Sequence, residues 1–417
     1  MKASVKLVLV VIMSAIFPVQ AENKLENSDL PSLATVAEAL SNNPDAQAAR
    51  AGIEVGKARQ LGLEAGPYEP NVRLGAGQRT IDGRGDFGEW DISLERAFRL
   101  PGKVRLDQQL GVQGVSQAEA AYADSLHEAK RELLRLWFNW MRAYNEADQA
   151  KAQVETFKEQ LRIVERRVQG GDAPRLEASL AGAALAQEEY SLQQARLREQ
   201  KAAIDLTQRF IGIQLPAAPT LITPVPITQT LDEWRARILT SNDELNLARE
   251  QSKRAQLQAA RADKNQRPDP MLGARYASET GGDEQIAGVY VSIPLTGKAR
   301  AAAGREATAE AEIANLNEAK VLRRLNADIA SVYASAQSSY RSQQSALSAA
   351  DFTDKNAELI ARAYSLGEAD LSNVLIARRQ AAEARLAASL AQLDANEARY
   401  RLLVDAHELW PLEGDPH

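Results

Sequence analysis

The sequence contains no cysteine and only three histidines among its 417 residues. Without cysteine, the chain has no disulfide bonds, thiolate zinc sites, iron–sulfur clusters, cysteine nucleophiles or lipid-modified N-terminal cysteine. So few histidines also argue against a histidine-built metal centre. No nucleophile and base stand in a recognisable catalytic arrangement, so we expect neither an enzyme nor a bound cofactor.

Charge and hydropathy exclude two further classes. The 50 lysines and arginines nearly balance the 56 aspartates and glutamates, which leaves no basic footprint for nucleic-acid binding. After residue 21, no stretch approaches the roughly 18 consecutive apolar residues of a membrane-spanning helix. If the chain enters a membrane, it must therefore do so without spanning helices.

The first 21 residues are typical of a secretory signal peptide. Lys2 and Lys6 precede an apolar run over 7–17, and Ala21 ends a short segment suited to cleavage. The apolar run has about half the length that a membrane-spanning helix requires. We predict cleavage after Ala21 and export of the rest of the chain.

The exported chain contains two copies of one pattern. Three landmarks recur in the same order, each displaced by 195 to 200 residues. They are an alanine-rich helical stretch, a strand followed by a Gly-Lys pair, and a glycine turn with an acidic neighbour. A repeat of this kind changes the expected fold. The predicted organisation is a first repeat over 22–214, a proline-rich linker over 215–230, a second repeat over 231–410 and a tail over 411–417.

Each copy contains a very long predicted helix. No proline occurs between Gly102 and Val168, and apolar or small residues recur there at gaps of three and four. At 1.5 Å per residue, this stretch spans roughly 100 Å. The second copy repeats the pattern over 298–364. For the helices taken alone, a plain coiled coil explains the spacing as well as a tunnel wall does.

A glycine turn follows each long helix. Gly171 and Gly367 stand beside acidic residues, and glycine adopts the left-handed conformation that ends a helix. A second helix begins at once, so each copy forms an antiparallel helical hairpin with its tip at 170–174 or 366–371. Alanines recur at gaps of three and four along the last helix, which favours close packing between helices.

Between the helices of each copy lies a pair of predicted strands, over 72–98 and 271–294. Apolar and polar residues alternate along them, as in outer-membrane barrel strands. The smallest such barrels have about eight strands, whereas this chain has four. Because open strand edges cannot face lipid, several chains must share one barrel. The predicted fold is mainly α, with a long helical tunnel and a transmembrane β-barrel shared between chains.

Together with the turn sequences at 171–177 and 366–371, these features resemble the TolC-like outer-membrane factors. The segments 267–270 and 292–295 look most like the outer-membrane component of cobalt-zinc-cadmium cation efflux systems. The resemblance implies a homotrimer, with a twelve-stranded barrel in the outer membrane of a Gram-negative bacterium and a twelve-helix tunnel in the periplasm. Such a duct passively exports metal cations or other small toxic solutes. Its implied partners are a periplasmic adaptor and an inner-membrane pump of the proton-driven RND type.

The resemblance also implies roles for residues near the tips. It implies that the adaptor docks on the region of Gly171, Asp172, Gly367, Glu368, Asp370 and Leu371. The tunnel constriction falls on the last helix, where the family often carries two acidic residues one turn apart. Asn373 and Ile376 stand at those positions, which implies a polar and a hydrophobic constriction with Glu177 as a nearby carboxylate. The alternative is that Asp172 and Asp370 simply favour the start of the helix after each tip.

Two histidine-containing segments and two tryptophans are candidates for chemistry. His407-Glu408 begins like a zinc-protease helix, but no second histidine follows four residues later and Pro411 ends the helix. His127 lies in a charged helical stretch and is expected to be solvated. Trp137 and Trp140 lie on the helical seam and are expected to be packing residues.

Two rival functions remain open from the sequence. In the first, the same architecture serves type I protein secretion with an ATP-driven exporter. In the second, the chain is a periplasmic adaptor or structural coiled-coil protein without a barrel.

Overall fold

The computed structural model describes residues 29–412, and the predicted signal peptide at 1–21 lies outside them. The helices are α1 (Leu33–Ser41), α2 (Pro44–Ala65), α3 (Pro101–Gln169), α4 (Arg175–Arg209), α5 (Leu231–Ser241), α6 (Asp243–Lys264), α7 (Lys298–Ser365) and α8 (Leu371–Asp405). The strands are β1 (Asn71–Ile81), β2 (Gly85–Ala97), β3 (Met271–Glu279) and β4 (Glu284–Ser292). Two short helical elements, a strand pair, a very long helix and a shorter helix thus occur twice in the same order.

The long helices α3 and α7 determine the shape of the chain. They have 69 and 68 residues, so each spans roughly 100 Å. α4 packs along α3, and α8 packs along α7. The predicted alanine seam of α8 lies largely inside this packing, since Ala377, Ala381, Ala388 and Ala395 are buried. Within the described part of the chain, no helix is both long and apolar enough to cross a membrane.

The four strands form one antiparallel sheet in the order β1-β2-β3-β4. The predicted count of four strands per chain is confirmed. The central strand pair of the sheet, β2 and β3, joins the two repeats, with Trp90 opposite Ser278 and Ala97 opposite Met271. β1 and β4 are the two edges of the sheet in a single chain.

The largest hydrophobic core lies partway along the helices, where α1, α3, α4, α8 and the C-terminal segment meet. Trp137 and Trp140 are buried in it, which confirms their predicted packing role. The indole N–H of Trp137 donates to the carbonyl of Asp29 at 2.8 Å, and the Tyr400 hydroxyl donates to the Asp29 carboxylate at 2.9 Å. The Asn396 side chain binds the carbonyl of Ile222 at 2.9 Å, which fastens the proline-rich linker to α8.

Candidate functional site

The two faces of the sheet differ sharply in chemistry. Strand register places one apolar set on a single face, and that set is largely exposed in the chain. Leu74 and Val289 on this face are 75% and 82% exposed. The apolar set comprises Val72, Leu74, Ala76, Trp90, Ile92, Leu94, Leu272, Ala274, Tyr276, Ala287, Val289 and Val291. Such a continuous apolar face marks a surface that is covered by another molecule or by lipid.

The opposite face of the sheet carries ion pairs. Arg79 Nε lies 2.7 Å from Glu89 and its Nη2 lies 2.7 Å from Glu279, which ties β1 to both β2 and β3. Arg73 pairs with Glu95 at 3.3 Å. A sheet with one apolar and one ionic face has the sidedness of a wall between lipid and water.

Two glycines on the polar face make room for opposing side chains. Gly273 lies opposite Tyr290, and Gly75 lies opposite Asp91. A Cβ atom added at either glycine would overlap the facing side chain. By lying over Gly273, Tyr290 brings its hydroxyl within 2.7 Å of Glu95, to which it donates a hydrogen bond. Side-chain fit therefore helps to fix the register of β3 and β4.

The two hairpin tips end their long helices in the same way. Gly171 and Gly367 adopt φ values of +82° and +81°, as the glycine turns predict. Gly171 N–H donates to Val168 at 3.2 Å, and Gly367 N–H donates to Tyr364 at 3.1 Å. These bonds satisfy carbonyls that the end of a helix would leave unpaired.

The tips of the two repeats are held together within one chain. Val164 and Ala181 of the first hairpin share a hydrophobic cluster with Tyr364, Leu371 and Val374 of the second.

Three polar contacts also cross from one hairpin to the other. The Tyr364 hydroxyl donates to Glu177 Oε2 at 2.6 Å, and the Arg167 guanidinium lies 4.7 Å from the centre of the Tyr364 ring. Arg379 of α8 binds Glu188 of α4 at 2.9 Å. Burial, together with the bond to Glu177, raises the pKa of Tyr364 to about 12. The hydroxyl therefore stays protonated at neutral pH.

The residues predicted for docking occupy different environments. Gly171, Asp172, Gly367, Glu368 and Asp370 are exposed at the tips, whereas Leu371 is buried in the shared cluster. Asp370 stands at the N-cap position of α8, but its side chain accepts no capping bond. The N-cap of α4 is Pro174, not Asp172.

The residues predicted for the constriction are also separated. Asn373 and Ile376 are exposed on α8, one turn apart. Glu177 is half-buried and accepts the Tyr364 hydrogen bond. It therefore belongs to the link between hairpins, which sequence reasoning did not find.

Two helices expose apolar residues at every seventh position. On α7 and its C-cap these are Phe352, Leu359 and Leu366. On α4 they are Leu176, Ala183, Tyr190, Leu197 and Ile204. Residues at this interval stay on one side of helices that wind around each other, so both rows have the spacing of helix-packing seams.

Sequence reasoning also missed a buried group of titratable side chains. His127, expected to be solvated, is only 2% exposed and stacks on His407 with ring centres 4.9 Å apart. Asp243, the first residue of α6, lies beside both rings. Burial lowers the pKa of His127, so its imidazole is neutral at pH 7. Nearby Asp405 has its pKa lowered to about 2, because the adjacent His127 imidazole and the charges of Arg131 and Arg401 outweigh its burial.

Comparison with known proteins identifies the architecture. No protein-family model and no curated protein matches the sequence. Solved structures do match: the outer-membrane channel OprN has a TM-score of 0.79 at 17% identity, covering 92% of each chain. The chain has the fold of outer-membrane channels. The CmeC outer membrane channel of Campylobacter jejuni has a TM-score of 0.73 at 17% identity, covering 91% of this chain and 85% of its own.

A third match is the open state of the MtrE outer membrane channel of Neisseria gonorrhoeae. Its TM-score is 0.73 at 16% identity, and the match covers 92% of this chain and 90% of MtrE. Coverage near the full length of these proteins extends the shared fold to the helices and the sheet alike. The predicted combination of long helices with a four-stranded antiparallel sheet is confirmed.

Proposed function

We propose that the chain is the outer-membrane exit duct of a tripartite efflux system. The observation that carries this proposal is the four-stranded sheet with one continuous apolar face and one ionic face. Lipid covers the apolar face, and the ionic face lines a water-filled passage. The fold shared with outer-membrane channels supports the same assignment.

A single chain is only part of the duct. The edges β1 and β4 must be paired, because an unsatisfied backbone group in lipid costs several kcal/mol. Three chains with four strands each make a twelve-stranded barrel, which is the homotrimer that the resemblance implies. The row of apolar residues on α4 and the row on α7 supply seams for the same assembly.

The helical part crosses the periplasm and ends at the hairpin tips. In this proposal, a periplasmic adaptor docks on the tip residues Gly171, Asp172, Gly367, Glu368 and Asp370, which are exposed. An inner-membrane pump of the RND type supplies the energy, and the duct itself is passive.

The closed state rests on the contacts between hairpins. Tyr364 and Glu177 hold the tips together, and opening breaks their hydrogen bond as the adaptor engages. Asn373 and Ile376 form the narrowest ring, in which the exposed isoleucine helps to exclude water. Replacing both, as Asn373→Ala with Ile376→Ser, should raise the closed-state conductance in planar bilayers. Unchanged conductance would place the constriction elsewhere.

The proposed cargo is metal cations or other small toxic solutes. The segments 267–270 and 292–295, which resemble cation efflux components, support metal ions. A strain lacking the gene should become sensitive to zinc, cobalt or cadmium, and plasmid-borne expression should restore growth. Sensitivity to unrelated drugs alone would indicate drug export, and loss of a secreted protein alone would indicate protein secretion.

The duct itself is tested by fractionation and electrophoresis. The chain should appear in the outer-membrane fraction, run as a trimer without heating and as a monomer after boiling, and form pores in planar bilayers. A water-soluble monomer would overturn the duct and favour the adaptor or coiled-coil protein.

A further inference from the structure

The histidine cluster joins three elements that are far apart in the sequence. His127 comes from the middle of α3, Asp243 from the start of α6 and His407 from the turn after α8. One donor atom from each of the three residues lies within 4.8 Å of the other two. All three residues are buried, at 2%, 4% and 8% exposure.

The distances between the donor atoms are close to those of a tetrahedral metal site. His407 Nε2 lies 3.4 Å from Asp243 Oδ2, and His127 Nδ1 lies 3.9 Å from the same oxygen. Zinc bonds of about 2.0–2.1 Å place neighbouring ligand atoms about 3.3 Å apart. To reach bonding geometry, His127 Nδ1 must approach Asp243 Oδ2 by about 0.6 Å, and the histidine donor atoms, which lie within 4.8 Å of each other, must also close to about 3.3 Å.

His127 points into the cluster with its hydrogen-bonding capacity unused. Neither of its ring nitrogens has a hydrogen-bond partner. Asp405 Oδ1, at 3.6 Å from Nε2, and Asp243 Oδ2 are both beyond the usual N–H···O length. A buried polar group in this state requires an explanation, and a bound ion is one.

The position of His407 sets it apart from the other helix ends of the chain. Three helices end with the same pair of backbone hydrogen bonds. The N–H of the left-handed residue donates to the carbonyl three positions before it, and the N–H of the next residue donates to the carbonyl five positions before it. Two of these helices use Gly171 and Gly367, whereas α8 uses His407 at a φ of 59°. With this backbone conformation, the His407 ring lies against His127, with ring centres 4.9 Å apart.

Asp405 supplies the surroundings that a ligating histidine needs. Metal-bound histidines usually donate their second ring nitrogen to a carboxylate, which orients the ring. Asp405 faces His127 Nε2, while Nδ1 faces Asp243. Asp405 is itself fixed by Arg131 at 2.7 Å and Arg401 at 3.0 Å.

We propose that His127, His407 and Asp243 form a structural binding site for a divalent transition-metal ion. Two imidazoles and one carboxylate are a donor set that zinc and its neighbours bind. The site is buried away from the tips and from the sheet. The ion would therefore crosslink α3, α6 and the end of α8. This role is separate from any cargo that passes through the duct.

The test uses zinc chloride with the full-length chain in detergent, after dialysis against a chelator. Zinc content and affinity are measured for the wild type, His127→Gln, His407→Gly and His417→Ala. The wild type and His417→Ala, which changes the remaining histidine, should each bind one zinc ion per chain. His127→Gln and His407→Gly should bind it about 100-fold more weakly, because each has lost one of three ligands.

His407→Gly separates a metal ligand from a purely structural histidine. Glycine suits the left-handed backbone but removes a buried ring, so without metal this variant should keep the wild-type circular dichroism, and its unfolding temperature without zinc is the baseline for the effect of zinc. Zinc should raise the unfolding temperature of the wild type but not of His407→Gly. Equal zinc binding by the wild type and both cluster variants would overturn the site. Pore formation is a separate readout, so a chain that binds zinc without forming pores would overturn only the duct.

Discussion

The Tyr364 hydroxyl donates a 2.6 Å hydrogen bond to Glu177, and this bond joins the second hairpin tip to the first. Each residue lies on the helix beside its own tip turn, at the end of the molecule farthest from the sheet. In a closed ring of hairpins, a bond between neighbours resists their separation. In the proposed duct this pair would act as a latch, and its strength would set how readily the tips part.

Removing the latch should make the pore open more often. Tyr364→Phe deletes only the hydroxyl, and a hydrogen bond of this kind contributes about 1 kcal/mol, which is a roughly fivefold change for one link. Single-channel recording in planar bilayers should show a correspondingly higher open probability. Tyr340→Phe, on the same helix away from the tip, is the matched control. An open probability equal to that of the control would remove the latch from the gating mechanism.

The latch should also show itself in a pH titration. Burial and the bond to Glu177 raise the pKa of Tyr364 to about 12, from the ordinary value of 10.0. The folded state favours the protonated hydroxyl, so its contribution to stability is complete below pH 10 and is lost as the pH rises through about 12. Tyrosinate absorbance of the wild type, minus that of Tyr364→Phe, should titrate near pH 12. A midpoint near 10 would mean that the tips are apart in solution.

The apolar row on α4 should be required for assembly and not for folding of one chain. Leu197 is 46% exposed in the chain, so Leu197→Glu leaves the core intact. Burying a leucine between copies contributes about 1.5–3 kcal/mol, and a buried unpaired glutamate opposes assembly further. Unheated electrophoresis should lose the trimer band. The control Gln187→Glu, at an exposed position of α4 outside the row, should keep the trimer band. Loss of the trimer band in both variants would show that the apolar row is not specifically required for assembly.

The fit between Gly273 and Tyr290 should be sensitive to a single methyl group. Gly273→Ala forces the added Cβ into the Tyr290 ring, which should destabilise the folded sheet by about 1–3 kcal/mol. Gly77→Ala is the matched control, because a Cβ there meets nothing within 4 Å. Urea unfolding in lipid vesicles measures the free energy of unfolding of both variants. The double variant Gly273→Ala, Tyr290→Ala should recover part of the loss, and a Gly273→Ala variant as stable as Gly77→Ala would contradict the fit.

Periodic features of this protein were predictable from its sequence. Alternation along Trp90, Ile92 and Leu94 predicts which strand face is apolar, because side chains of a strand alternate between faces. Glycine predicts the tip turns, because few other residues take a left-handed backbone at little strain. Both signals are local, and the repetition of the pattern strengthens them.

Contacts between distant residues were not predictable in this way. Tyr364 and Glu177 are 187 positions apart, and nothing in either local sequence indicates the other. His127 stands in a run of charged residues, which suggested a solvated helix face. His127 lies seven residues before Leu134 and ten before Trp137, so helical periodicity places it on the same buried seam. This spacing could have predicted that His127 is buried.

The central strand pair has a consequence for symmetry. β2 and β3 belong to different repeats of one chain, and β4 and β1 are their counterparts at the two edges. A junction between two chains can therefore copy the junction inside each chain. In the proposed trimer, three chains would present six nearly equivalent hairpins around one axis, so the repeat would give the ring twice the rotational order that its number of subunits suggests.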